Sequence, residues 1–218
     1  MRKIGIMLIV AAAMLTMGSC GGKQQAVPFD DGDSANVANS DPTVYGLCGV
    51  ETTMNTLQLL TDNGDTLTFD LSRAKSEGRL LGGLQVGDRM AVVPDSARTE
   101  ALVAINQSTL LGNWIMPNPI DGSDEVGIRI KEGGVAESIN QSTIVYRTWR
   151  LLRGQLEIVY TREDGSGEEE TYLYQIVKLN ADSLVYKDDE DTFEYGRQRA
   201  HKDPVDQIKL EDVEDFDI

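Results

Sequence analysis

Between residues 110 and 198 the chain passes through eight strand-length segments, and no connection between them is long enough to hold a helix. The candidate strands are 110–116, 126–131, 135–139, 143–151, 155–162, 171–179, 183–187 and 192–198. Glu132-Gly133-Gly134, Asp164-Gly165-Ser166-Gly167 and Asn180-Ala181-Asp182 supply turn chemistry between neighbours. A parallel pair needs a crossover of about a dozen residues or more, so consecutive strands here must run antiparallel. Eight such strands with one apolar face close naturally into an up-and-down barrel, which removes exposed edges. The alternation of Leu156, Ile158 and Tyr160, and of Tyr172, Tyr174 and Ile176, with other residues fits one buried face.

Both tryptophans and six of the seven tyrosines lie beyond residue 107. Tyr146, Trp149, Tyr160, Tyr172 and Tyr174 are the candidates for an interior lining, because amphipathic aromatics hold an apolar ligand while their polar atoms orient it. The alternative is that they fill a closed core, as side chains do in small eight-stranded barrels. Strand alternation puts Tyr146 and Trp149 on opposite faces unless a bulge intervenes.

Upstream, residues 43–106 form a second all-β unit, with candidate strands at 44–51, 56–61, 66–71, 89–93 and 101–105. Asn63-Gly64 predicts a hairpin whose turn residues both accept positive φ. A short helix over 72–77, closed by Gly78, follows the third strand. Three strands, a helix and two strands is the order of an OB-fold, so an OB-like barrel is expected. Single-strand nucleic-acid binding by such a unit needs aromatic platforms and a basic groove. This one has Tyr45 and Phe69 alone, with five basic residues against eight acidic ones, so a spacer or docking module is preferred.

The whole chain of 218 residues carries 20 Lys and Arg against 36 Asp and Glu, a net charge of -16, which argues against any nucleic-acid partner. No Walker loop, Gly-x-Ser-x-Gly or His-Glu-x-x-His stands in it, so neither an enzyme nor a cofactor is expected. The one histidine, His201, has no Ser or Cys beside it to make a triad. Asp188-Asp189-Glu190-Asp191 lacks the glycine and ligand spacing of a calcium loop and reads as a solvated turn. Cys48, in an apolar run, is expected to be a small buried hydrophobe.

The N-terminus reads as an address. Arg2 and Lys3 precede an uncharged run of 14 residues, Ile4 to Met17, shorter than the ~20 that span a bilayer. The run ends in Gly18-Ser19-Cys20, which resembles a bacterial lipobox with Met17 where leucine is usual. The resemblance implies a signal peptide over 1–19, cleavage before Cys20, and acyl chains such as palmitate on that residue. It also implies a protein held in the cell envelope, at the outer membrane, with the folded part periplasmic or surface-exposed. Removing Arg2 and Lys3 leaves 18 basic residues, so no polybasic patch supplements the lipid. Residues 20–42 then form a flexible tether, with an r.m.s. reach of about 25 Å. Residues 203–218 form an acidic tail with disorder as its default.

A family resemblance covers residues 110–199, within the barrel assigned to residues 107–202. Gly112-Asn113-Trp114 is similar to the lipocalin Gly-x-Trp signature, and Arg197 or Arg199 stands where lipocalins place an arginine on that tryptophan. Residues 134–149, from Gly134 through Ala136, Ser138, Ile139, Asn140, Thr143 and Tyr146 to Trp149, resemble a run in lipocalin-like lipoproteins of Bacteroidota. Val177-Lys178-Leu179 with Asp182-Ser183-Leu184 fits the same family. The resemblance implies a structural role for Gly112, Trp114 and Arg197. It also implies a non-enzymatic envelope binder of a small apolar or amphipathic ligand. The other reading is a structural or protein-interaction lipoprotein with a filled barrel, its protein partner unknown.

Overall fold

The computed structural model describes residues 41–118, 122, 124–163 and 167–199. The signal segment, Cys20, nearly all of the tether, His201 and the acidic tail lie outside these residues. The described chain is all-β apart from short helical turns, and it carries an eight-stranded barrel and a separate six-stranded sheet.

The first sheet uses β1 (Val44–Cys48), β2 (Thr56–Thr61), β3 (Thr66–Asp70), β4 (Leu80–Leu81), β5 (Arg89–Pro94) and β6 (Ala101–Asn106), with helix α1 (Ser72–Ser76) after β3. Its order is β3-β2-β1-β5-β6-β4, antiparallel except for β4 on β6. A single parallel bridge from Asp70 to Glu100 brings β3 round toward β6. The inward residues Leu57, Leu59, Phe69, Met90, Val92 and Ala104 form its core, with Cys48 buried among them. At the β2–β3 turn only Gly64 takes positive φ, at 89°, whereas the sequence predicts it for Asn63 too. Gly64 N–H donates to Thr61 O, and Thr61 N–H donates to Asp65 O, so the loop has three residues with the left-handed position last.

β6 passes straight into the four-residue helix α2 (Gln107–Leu110), whose N-cap Asn106 accepts from Thr109 N at 2.9 Å. Leu110 therefore belongs to a helix, not to the first barrel strand as the apolar run predicts. The barrel strands are β7 (Gly112–Pro117), β8 (Glu125–Ile130), β9 (Ala136–Ile139), β10 (Ile144–Leu152), β11 (Gln155–Arg162), β12 (Glu169–Leu179), β13 (Ser183–Lys187) and β14 (Thr192–Arg197). All pairings are antiparallel, in the order β10-β11-β12-β13-β14-β7-β8-β9. The first and last strands thus pair, and the ladder is interrupted between β9 and β10. There the Ser138 hydroxyl donates to Ile144 O at 2.6 Å and accepts from Tyr146 N at 3.0 Å, so one side chain bridges the seam.

Two irregularities set which side chains face inward. The β10–β11 register shifts between Tyr146 and Thr148, so Arg147 bulges out and Tyr146 and Trp149 both point to the interior. A second shift between Ile176 and Lys178 leaves Val177 exposed and returns Leu179 to the core. One apolar cluster then runs from the barrel interior through Leu110 to Leu81, Ala91 and Ile105 of the first sheet.

Candidate functional site

At one end of the barrel Trp114 is fully buried, and its Nε1–H donates to Leu110 O at 2.8 Å. The Arg197 guanidinium lies 4.1 Å from the indole centroid and donates to Thr109 O, Leu111 O and Ala181 O at 2.6, 2.8 and 2.5 Å. These carbonyls include orphan acceptors at the end of α2, which need a donor once water is excluded. Gly112, at φ 137°, leaves room for that arginine: a Cβ there would sit 2.3 Å from Nη1. The three residues thus form one plug. Arg199 instead pairs with Asp182 at 3.1 Å on the surface.

The sixteen-residue motif also has a local physical account. Asn140 takes a left-handed φ of 51° and its Nδ2 donates to Glu125 O, while Gln141 Nε2 donates to Gly127 O, so the loop is tied to β8. Ser138 bridges the seam, which an antiparallel backbone bridge between Val135 and Thr148 also spans, and Trp149 Nε1–H donates to Lys131 O at 2.8 Å.

Tyr146, Tyr160, Tyr172 and Tyr174 gather at the opposite end of the barrel. Tyr160 stacks on Tyr172 at 5.3 Å, Tyr146 meets Tyr160 edge-on at 6.0 Å, and Tyr172 adjoins Tyr174 at 6.1 Å. The chain of rings continues to Tyr186, Phe193 and Tyr195. Sequence alternation could have selected these last three, since β13 and β14 carry the same period. Burial pushes the Tyr146, Tyr174, Tyr186 and Tyr195 phenols up, and Tyr160 up to about 12. The phenols are therefore neutral donors at physiological pH, as in the Tyr186-to-Tyr195 hydroxyl contact of 3.1 Å. These rings pack chiefly on one another. The Asp188 carboxylate in the neighbouring turn accepts from the backbone N–H groups of Glu190 and Asp191, which holds its pKa down.

Trp149 stands apart from the tyrosines, at the plugged end. It lines a cleft of about 610 Å³ with Leu111, Leu151, the Glu132–Gly134 turn and Arg150 of the barrel, and with Tyr45, Asp62 and Arg89 of the first sheet. Gln107 and Ser108 of α2 complete it. Tyr45 hydroxyl donates to Leu151 O at 2.6 Å and so fixes the two walls together. Arg89 forks onto Asp62 at 3.1 and 2.5 Å, and Arg150 onto Glu157 at 2.6 and 3.1 Å. Gln107 Oε1 is buried without a hydrogen-bond partner among the described residues, a condition that costs about 1–3 kcal/mol. Strand periodicity could not have found this cleft, because its walls come from segments up to 106 residues apart that meet only through the tertiary fold.

Residues 106–198 match the family model described as lipocalin-like. Among solved structures, a lipocalin-like protein from Bacteroides thetaiotaomicron VPI-5482 is 31% identical, with 41% of this chain and 97% of that chain covered, at a TM-score of 0.38. No curated protein matches the chain. Residues 106–198 of this chain belong to the lipocalin-like family.

Proposed function

We propose that this chain is a lipid-anchored protein of the cell envelope that binds a small amphipathic molecule without chemical conversion. Gly18-Ser19-Cys20 after an apolar run supports the anchor, and Cys20 is the residue to carry it. The observation that carries the binding reading is the cleft: about 610 Å³ falls within the roughly 300–1,000 Å³ of small-molecule sites. In this reading Trp149 contacts the ligand, while Tyr146, Tyr160, Tyr172 and Tyr174 form the aromatic end of the barrel. The six-stranded sheet serves as an OB-like module whose Tyr45, Asp62 and Arg89 supply one wall.

A second reading, a structural or protein-interaction lipoprotein of the outer membrane, is favoured by one specific observation. The barrel interior is occupied by its own side chains, from Trp114 and Ile128 through Tyr186 and Tyr195.

Native mass spectrometry of protein purified from its own host separates the two. A discrete retained mass that disappears in Glu132→Trp, a substitution at an exposed residue of the cleft, is the expected result. A bare protein mass for both forms would favour the interaction reading. For the anchor, palmitate labelling that is lost in Cys20→Ala is expected, with the variant released from membranes.

A further inference from the structure

The cleft has a charge balance and a donor set that select among ligands. Its side chains include two cations, Arg89 and Arg150, and two anions, Asp62 and Glu132. Arg89 is engaged by Asp62, and Arg150 is engaged by Glu157 just outside the lining. An anionic head group would have to break one of these forked pairs against a chain of net charge -16. A long alkyl chain fits poorly for a different reason: polar Gln107, Ser108, Asp62 and Glu132 interrupt the apolar wall made by Tyr45, Leu111, Trp149 and Leu151. Burying them against hydrocarbon would leave their hydrogen-bonding groups unmatched.

What remains is hydrogen-bonding capacity without net charge. Ser108 Oγ accepts from Arg89 N at 2.9 Å and keeps its own proton available. The Gln107 side-chain oxygen is a buried acceptor without a partner among the described residues, on a residue that lines the cleft. Aromatic groups at Tyr45 and Trp149 offer an apolar surface beside these polar groups. We infer that the cleft takes an uncharged, hydroxylated ring, such as a hexopyranoside, with C–H groups against the apolar wall and hydroxyls toward Gln107, Ser108, Asp62 and Glu132. The inference rests on the cleft being the binding site.

The test uses full-length protein in lipid nanodiscs, with ligand-observed NMR titration of methyl gluco-, galacto- and mannopyranoside, glucuronate and hexanoate. At least one methyl hexopyranoside is expected to bind saturably, and glucuronate and hexanoate at least tenfold more weakly. Gln107→Leu should weaken the hexopyranoside at least tenfold with no loss in thermal midpoint, because that side-chain oxygen has no partner to lose. Glu132→Trp should abolish binding. Hexanoate or glucuronate binding that Glu132→Trp abolishes, with no hexopyranoside bound, would overturn the ligand class and leave the cleft as a binding site. Absence of binding by every probe, with no retained mass on the native protein, would overturn both readings.

Discussion

Arg197 reaches three backbone carbonyls while covering Trp114, and Gly112 is small because that reach passes over it. Cation–π contact contributes about 0.5–2 kcal/mol and a charge-assisted hydrogen bond about 1.5–3 kcal/mol. Arg197→Ala is therefore expected to cost about 3 kcal/mol or more in equilibrium urea denaturation. Arg197→Lys should recover little, since an ammonium cannot fork across separated carbonyls. Gly112→Ala acts on the same contact by displacing Nη1, so the double variant should be less destabilised than the two single costs together. Additive losses would mean that glycine and arginine are not coupled. Trp114→Ala should itself cost about 3–5 kcal/mol, as for other buried aromatics. Trp149 is 6% exposed, so its removal belongs in the same range rather than in the lower one expected of a residue on an outer face.

The phenols carry a prediction with a definite sign. Tyr160 is pushed up to about 12, and Tyr45, Tyr146, Tyr174, Tyr186 and Tyr195 are also raised, with burial the largest cause for each. The folded form holds these protons longer than the unfolded chain, whose phenols titrate near 10. Their contribution to stability is therefore complete below about pH 10 and is lost as pH rises toward 12 and beyond. Absorbance titration at pH 9–13 should show phenolate appearing late and together with unfolding. Titration of the whole set near pH 10 with the fold intact would refute it.

At the scale of elements, strand existence and the closing of eight strands were legible, because alternation and turn residues are local signals. The seam was not. β9 and β10 are neighbours in sequence, yet Ser138 replaces part of their backbone ladder with two hydrogen bonds of its own. The Arg147 bulge was equally hidden: alternation alone puts Tyr146 and Trp149 on opposite faces, and only the pairing register of β11 shows both facing inward. The cleft was illegible for the same reason, since Tyr45, Gln107 and Trp149 share no local pattern. Ser138→Ala should remove both seam bonds and cost about 2 kcal/mol, counting about 0.5–1.5 kcal/mol for each. Native-state amide exchange gives the sharper readout: the Tyr146 N–H, now bonded to Ser138, should lose protection while those of β12 and β13 keep theirs. Unchanged protection at Tyr146 would place the closure of the seam elsewhere.

For the molecule as a whole, the junction between sheet and barrel is a continuation of both cores. Leu81, Ala91 and Ile105 share an apolar cluster with Leu110, Trp114 and Leu179, and Gly82 N–H donates to Leu179 O at 3.0 Å. Thr109 hydroxyl donates to Gly82 O at 2.9 Å, and Tyr45 hydroxyl to Leu151 O at 2.6 Å. The cleft exists only while both of its walls are in place, so binding and the stability of the junction are linked. Ile105 is fully buried on the sheet side, and Ile105→Ala should cost about 2–5 kcal/mol. Both tryptophans lie on the barrel side, in β7 and β10, so their fluorescence reports that part alone. If the packing couples the parts, the denaturation midpoint seen by tryptophan must fall with the midpoint seen by far-ultraviolet circular dichroism, in one transition. A tryptophan midpoint that stays at the wild-type value while the dichroism transition splits would show that the barrel unfolds independently. The shared apolar cluster would then contribute little to cooperativity, and the cleft would open before the barrel melts.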